Sequence, residues 1–413
     1  MSRLKAYVEC IYIVMRLFIT DLVEAVKTSF LPSYSVKMNK FITNSRVCVL
    51  AVYQERELRE DIKILITTLL DLNCDLIVVN TNRIEDFSDE FFSEITYIER
   101  PNWGRDFGSY QVGVNYVFNH TKSTSLDRLV ILNDSVFYCE AGLKAFLKST
   151  LEGPEAVKAV SENYNIRWHY ASYFLSFGPK VFRHRLFTNF WKKYQKTNRR
   201  QATIRRGEMA LSGCLKAIVG ETHLPRPLLN NDLIASEWDK QNLGEVPFQF
   251  IPTGPTATVT DLKRPMKDLY SGYLSGPKNV QIHITAQPED NWQPVLCLSK
   301  ATTISELSKF LDQFGFETNH DVLKSWFLSY ILSDFRTGSQ IHNASILAIP
   351  CGIPIVKLDV IFRGSLSWDN IESVAMQLPK HQQHEFLSIF GKHRYGASFL
   401  AGWRLTGFRY HLI

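Results

Sequence analysis

The chain has 413 residues, too many for one simple domain at roughly 100–200 residues each. With 45% hydrophobic and 21% charged residues, a core of normal size is available, and disorder, collagen-like repeats and coiled coil are excluded. The formal net charge of +6 is too small an excess to argue for nucleic acid. The seven cysteines include no CxxC pair, and several lie in apolar runs. That excludes a disulfide framework or structural zinc and fits reduced, buried thiols in a cytosolic protein.

The chain opens on AYVECIYIVMRLFITDLVEAV (6–26). Glu9 and Arg16 interrupt the apolar run, and no small-residue cleavage site follows, which argues against a signal peptide. Glu9, Arg16, Asp21 and Glu24 also lie inside the window of about 20 residues that a membrane span needs. Helical spacing fits better: Val8, Ile11, Tyr12, Met15, Phe18, Ile19, Leu22, Val23 and Val26 form one stripe. Two readings stay open, a helix docked on the protein's own core and an interfacial membrane helix.

From residue 46 strands and helices alternate. RVCVLAVY (46–53) fits a buried strand, followed by a charged amphipathic helix at 56–72 with Ile62, Leu65, Ile66 and Leu69 on one side. Then come strands at 75–81 and 95–100, a helix at 106–118 and a strand at 128–134. Short apolar strands separated by helices imply βαβ units and an α/β fold with a mostly parallel sheet. Ligands of such sheets bind beyond the carboxyl ends of the strands, so attention falls on 53–55, 80–82, 101–106 and 133–135. GxGxxG, GxxxxGK[ST], HExxH and GxSxG are all absent, which argues against dinucleotide oxidoreductases, P-loop enzymes and the corresponding hydrolases.

Beyond residue 150, Tyr170–Phe177 alternates like a strand with one polar face, and a long basic helix is expected at 179–196. No acid occurs from Asn163 to Gly207, a stretch holding Lys192, Lys193, Arg199, Arg200, Arg205 and Arg206. It is either a solvated helix face or a surface for phosphates. Residues 252–300 are expected to link or cover, 303–335 to be helical, and 342–364 to form helix, loop and strand around Pro350 and Pro354. The end of the chain carries Lys392, Arg394, Arg404 and Arg409 among Phe399, Trp403, Phe408 and Tyr410. That suits a membrane surface or a tail packed on the domain. The expected division is an N-terminal amphipathic helical segment (1–45), a main domain (46–260) and a helical covering region (261–413).

Two motifs stand out. RPNWGRDFGSYQVG (100–113) lies between a strand and a helix. Gly104 permits an unusual backbone angle, and Asp106 falls where a helix begins. The loop is either a plain capped connection or one that turns Asn102, Arg105 and Asp106 to the ligand crevice. LVILNDSVFY (129–138) delivers Asn133, Asp134 and Ser135 directly beyond a strand.

Together these motifs resemble the rhamnan synthesis protein F family, bacterial glycosyltransferases of polysaccharide assembly. HYASYFLSFGPKVF (169–182), RRGEMALSGCL (205–215) and CGIPIVKLDVIFR (351–363) are similar to further segments of that family. The resemblance implies a GT-A-like (nucleotide-diphospho-sugar transferase) fold, with an N-terminal helix and a mainly helical C-terminal extension. It implies a sugar, rhamnose by the family name, moved from a nucleotide-diphosphate donor to a lipid-linked polysaccharide of the O-antigen or lipopolysaccharide kind. The protein would then sit in the cytoplasm, peripheral at the inner face of the bacterial membrane.

By the same resemblance Asn133-Asp134-Ser135 takes the place of the D-x-D metal motif. Only Asp134 is acidic, which leaves both Mg²⁺ or Mn²⁺ use and metal independence open. Asn102, Gly104, Arg105, Asp106, Tyr110, Asn133 and Ser135 fall on the donor side. His169, Tyr173, Arg205, Arg206 and Lys357 fall on the acceptor or phosphate side. Glu208, expected to start a helix at 208–218, is the candidate general base of an inverting transfer, and Asp134 its catalytic companion. A non-catalytic GT-A-like subunit binding a glycan or a partner transferase is the alternative. A nucleotidyltransferase lacks support, because VCVLAVYQERE supplies no Gly/Arg-rich activating loop.

Overall fold

The computed structural model describes residues 3–29, 34–85, 87, 90–165, 167–251, 303–313, 318–361, 363 and 365–392. The covering role expected for 252–300 and the basic-aromatic tail from Arg394 to Tyr410 lie outside the described residues. Helix α1 (Arg3–Ser29) is followed by β1 (Ser35–Met38), β2 (Arg46–Val52), α2 (Glu60–Asp71), β3 (Asp75–Asn80), β4 (Thr96–Glu99), α3 (Arg105–His120) and β5 (Arg128–Asn133). Next come β6 (Val136–Tyr138), α4 (Leu143–Leu151), β7 (Val157–Ala159), β8 (Glu162–Asn163), β9 (His169–Tyr170) and β10 (Phe174–Phe177).

Seven strands form one sheet in the order β1-β4-β3-β2-β5-β10-β7. β4, β3, β2 and β5 run parallel, β1 and β10 are antiparallel to their neighbours, and β7 is antiparallel to β10. The expected α/β fold with a mostly parallel sheet is therefore present. β1 was not foreseen: SVKM is short and exposed along most of its length, so no apolar alternation announces it.

The sheet is covered on both faces. Cys48, Leu50, Val52, Leu76 and Val78 point to one core with Ile62, Leu65, Ile66 and Leu69 of α2. Val47, Val49, Ala51, Ile77 and Val79 point to the other, against α3 and the helices that follow β10. This is the continuous apolar patterning of a sheet buried twice, with alternate residues facing opposite layers. Gly113 of α3 lets that helix come close: a Cβ there would stand 2.3 Å from Val49 Cγ1.

After β10 come α5 (Pro179–Phe182), α6 (Arg185–Lys193), α7 (Arg200–Thr203), a π-helical turn (Ile204–Met209) and α8 (Ala210–Val219). Three expectations are corrected here. The strand expected at 170–177 breaks at a turn over 171–173, so β9 and β10 sit in different sheets. The long basic helix of 179–196 is two short ones, because the chain leaves the helix at His184, whose ring then accepts from Leu186 N. Glu208 does not start a helix. It lies inside the continuous run 200–219, in its π-helical turn.

The C-terminal region holds α9 (Asn231–Lys240), α10 (Ile304–Gln313), α11 (His320–Phe335), α12 (Gln340–Asn343), β11 (Ile355–Lys357), α13 (Trp368–Ala375) and α14 (Lys380–Gly391). Its apolar residues, from Ile304 to Phe390, join the core on the α2 face. The contact is specific as well as apolar. Glu385 of α14 accepts from the free N–H groups of Glu60 (2.7 Å) and Asp61 (3.2 Å), capping α2 from far along the chain.

The stripe of α1 does not dock on the protein's own core. Val8, Ile11, Tyr12, Met15, Phe18, Ile19, Leu22 and Val23 are exposed. The opposite side, with Ile13, Leu17 and Asp21 half-buried, faces the protein. The thiols of Cys48, Cys74, Cys139 and Cys351 are free and buried, as expected, and Cys214 is half-buried.

Candidate functional site

The register aligns the parallel strands at their carboxyl ends: Val52 faces Asn80, Asn80 faces Glu99, and Ala51 faces Asn133. The loops after β2, β3, β4 and β5 therefore emerge at one edge. A cavity of about 540 Å³ opens there, lined by Tyr53, Thr81, Asn102, Arg105, Asp106, Ser109, Asn198 and Arg199, and closed on one side by Arg16, Leu17 and Thr20 of α1. A second cavity of about 330 Å³, bounded by Lys37, Arg83 and Arg100, shares Thr81 with it.

The 100–106 loop is held by its own first residue. Arg100 is buried and donates to Ser109 Oγ (3.0 Å), to the carbonyls of Pro101 (2.8 Å) and Arg105 (2.8 Å), and to that of Trp103. Burial lowers its pKa to about 10. Gly104 adopts φ +90°, and Arg105 follows at φ +52°, an unusual angle for a non-glycine residue. Gly104 N donates to Asn198 Oδ1 (2.7 Å), which ties the loop to the segment before α7. Asp106, in the first turn of α3, accepts from Asn133 Nδ2 at 3.0 Å. Burial pushes the Asp106 carboxyl up, and nearby Asp134 adds to this, against Arg105 and Lys357.

Asp134 Oδ2 accepts from Tyr53 N (2.7 Å) and from the Gln54 amide. Both bonds fall on one oxygen. Asn133 Oδ1 accepts from Ser135 N (3.1 Å) and Ser135 Oγ (2.5 Å). β11 pairs antiparallel with β6, setting Lys357 opposite Val136. Lys357 Nζ thereby reaches Ser135 Oγ at 2.6 Å and lies 5.5 Å from the Tyr173 ring centroid. Beneath, Arg59 donates to the carbonyls of Asp134 (3.0 Å) and Val136 (2.8 Å) while paired with buried Asp61. The segment is thus clamped from both sides.

On the other flank, Glu208 Oε1 accepts from Ser172 Oγ at 2.7 Å, and Glu208 Oε2 lies 3.3 Å from His169 Nε2. His169 is 2% exposed. Burial alone would lower its pKa, but the carboxylate outweighs burial and holds it up. Burial alone would raise Glu208, but His169, then Ser172 and Lys357, hold it down. Each thus favours the charged form of the other. The π-helical turn that presents Glu208 packs close, since a Cβ on Gly207 would stand 2.7 Å from the Phe107 ring.

Asn102, Arg105 and Asp106 are thus brought to the cavity; Asn133, Ser135 and Lys357 form one hydrogen-bonded cluster joined to Asp106, and Asp134 bonds instead to Tyr53 and Gln54. Tyr110 is fully buried and reaches the site through its hydroxyl, which donates to the Ser172 carbonyl at 2.9 Å. Tyr173 is buried, its hydroxyl bonded to Ser161 Oγ at 2.9 Å. Arg205 and Arg206 are exposed, Arg206 3.9 Å from Asp21. The sequence did not single out Arg16, Asp61, Arg59, Asn198 or Ser172 for the site. Their partners lie far away in the chain, and no local pattern marks them.

No group of three or more His, Cys, Asp or Glu placed to hold a metal ion occurs among the described residues. Asp134 is the single acid of its motif, the Asn133 amide is committed to Asp106, and Ser135 faces an ammonium. This donor set fits a divalent ion poorly unless a bound diphosphate supplies most of the oxygens.

Fold and site together define an α/β protein with a polar ligand cavity at the carboxyl edge of a mostly parallel sheet. Residues 72–216 match the family model of rhamnan synthesis protein F, which bears out the expected family over that stretch. The chain is 27% identical over 172 residues to uncharacterized protein y4gN of Sinorhizobium fredii, covering 40% of this chain and 44% of that one. It is 30% identical over 99 residues to virulence protein VirA of Vibrio anguillarum, covering 23% and 30%. It therefore spans less than half the length of these curated relatives. Among solved structures, glycosyltransferase GlyE of Streptococcus pneumoniae TIGR4 aligns at 14% identity and TM-score 0.24, over 48% of this chain and 49% of that one. Mannosyltransferase PcManGT of Pyrobaculum calidifontis, in complex with GDP-Man and Mn²⁺, aligns at 10% identity and TM-score 0.23, over 93% and 97%. At such scores neither superposition carries an argument.

Proposed function

We propose that the protein is a glycosyltransferase that moves a sugar from a nucleotide-diphosphate donor to a lipid-linked polysaccharide acceptor, peripheral at the inner face of a bacterial membrane. The observation that carries this reading is the cavity of about 540 Å³ at the strand ends, walled by the Asn102–Asp106 loop within the family-matched stretch. Its volume suits a nucleotide-sized ligand. No helix among the described residues is long and apolar enough to cross a membrane.

In this reading the donor's nucleotide lies along Tyr53, Thr81 and the Asn102–Asp106 loop. Its diphosphate meets Arg105 and Lys357, which neutralise charge as the bond to the sugar breaks. The acceptor hydroxyl attacks the anomeric carbon from the opposite face and gives its proton to Glu208. The lowered pKa of Glu208 keeps it ionised and makes it a weak base. The proton therefore transfers as bond formation acidifies the hydroxyl. His169 and Ser172 hold the carboxylate in place. A divalent ion would need most of its oxygens from the donor's own phosphates, with Asp134 the one acid of the motif to join them.

The test is a thermal-shift screen of the purified protein against nucleotide sugars, with and without Mn²⁺, alongside Asp134→Ala. A ligand that binds only the folded state raises the midpoint by mass action. A selective shift, lost in the variant, supports a donor site and identifies the nucleotide. One observation favours the non-catalytic reading: Asp134 Oδ2 is already bound by Tyr53 N and Gln54. Absence of any shift in a well-folded sample would select that alternative.

A further inference from the structure

Helix α1 presents two faces of opposite character. On one side, Arg16, Leu17 and Thr20 line the main cavity. One turn on, Asp21 binds Arg199 Nε at 2.6 Å and Thr197 Oγ1 at 3.1 Å, fixing the helix to the rim. On the other side, Val8, Ile11, Met15, Phe18, Ile19, Leu22 and Val23 are exposed, Phe18 to 67% and Met15 to 59%. At about 1.5 Å per residue this stripe runs on the order of 20 Å along one helix, an exposed apolar face beyond what scattered surface residues present.

We infer that this outward face of α1 beds into the surface of a bilayer containing anionic lipid. Three observations favour a lipid surface over a protein groove. The described side chains of the face are all apolar. A cation borders it: exposed Arg16 packs its guanidinium 5.8 Å from the Tyr12 ring centroid, while Arg199 and Arg206 stand at Asp21 on the inner side of the helix, Arg206 exposed. The segment from Asn163 to Gly207, which contributes Arg199 and Arg206, has no acid. Cations flanking a shallow apolar stripe match phosphate headgroups above an acyl layer. The inference deepens, and in that respect rests on, the reading of a membrane-presented acceptor, because the helix that touches lipid also walls the cavity.

The experiment is co-sedimentation of the full chain with vesicles of phosphatidylcholine alone and of phosphatidylcholine mixed with phosphatidylglycerol. The comparison is the double variant Ile11→Glu/Phe18→Glu, whose positions are exposed and outside the cavity. The wild type is expected to sediment with the mixed vesicles, less so at high salt. The variant should lose at least about tenfold in apparent affinity while keeping the wild-type unfolding midpoint and nucleotide-sugar shift. Equal sedimentation of both proteins overturns the inference. So does failure of the wild type to bind, or a wild-type dimer in sedimentation velocity that the variant converts to monomer, since the occupant is then a second copy. Vesicle binding lost in the variant, with no nucleotide shift in either protein, would sink the transferase reading and leave this one standing.

Discussion

Two carboxylates close enough to feel each other's charge meet burial with opposite results. Asp106, at the start of α3, faces Asp134, so burial and a like charge both push its carboxyl up. Glu208, in the π-helical turn, faces His169, so the partner overcomes burial and holds it down. Burial alone does not set the direction of the shift; the neighbour supplied by the fold can reverse it. Asp106 is therefore suited to hydrogen bonding with Asn133 and a ligand, and Glu208 to accepting a proton.

The largest expected break in this comparison is Glu208→Gln. It removes the proposed base and should lower kcat by roughly 10²–10⁴-fold, while the nucleotide-sugar shift persists. Equal loss of donor binding and turnover would refute the base role. The same substitution strands His169 in a buried site. Its pKa should then fall, because burial lowers it and only the Arg167 carbonyl is left to hold it up, which a histidine proton titration by NMR reads directly. Asp106→Asn keeps an acceptor for Asn133 Nδ2 and removes a buried carboxyl facing Asp134, so the unfolding midpoint should change little.

Lys357→Met comes next. It removes the cation beside Ser135, and an effect of about 10²-fold on kcat is expected if Lys357 stabilises the leaving diphosphate. An unchanged kcat would confine the lysine to holding β11 on β6.

His169→Gln sharpens the contrast through pH. Removing the histidine raises the pKa of Glu208, so the acid limb of the kcat profile moves to higher pH, and an unmoved limb would disprove the pairing. The stability sign follows from both partners. The raised His169 contributes stability fully below pH 6.5, lost as pH rises through its folded value. The depressed Glu208 contributes above pH 4.5, lost as pH falls through its folded value. The wild-type advantage over His169→Gln in thermal midpoint should therefore be largest between pH 4.5 and 6.5.

The smallest effect concerns packing. Gly207→Ala places a Cβ 2.7 Å from the Phe107 ring. It should cost about 1–3 kcal/mol, seen as a drop of a few degrees in unfolding midpoint.

The sheet was largely legible because β2, β3, β4 and β5 are apolar runs bounded by polar turns, and their ends marked the site edge. Asn102, Arg105 and Asp106 followed from that edge alone. What stayed hidden depends on distance in the chain or on what covers a surface. Glu208 looked like a helix start, but Gly207 before it accommodates the Phe107 ring inside a longer helix. The stripe of α1 announced an apolar face without saying what lies against it. Lys357 came from a family resemblance. No periodicity predicts that IVK pairs with β6, or that Glu385 caps α2.

That last pairing has a consequence in time. Tyr138 gives its carbonyl to Gln382, 244 positions onward, and β6 waits for β11. A ribosome adding roughly 5–20 residues per second exposes the sheet and its Asn133–Ser135 segment on the order of ten seconds or more before the strand that supplies Lys357. The nascent chain therefore carries an uncovered core face and an unfinished site together. Completion of the cover and arrival of the lysine become the same late event of folding.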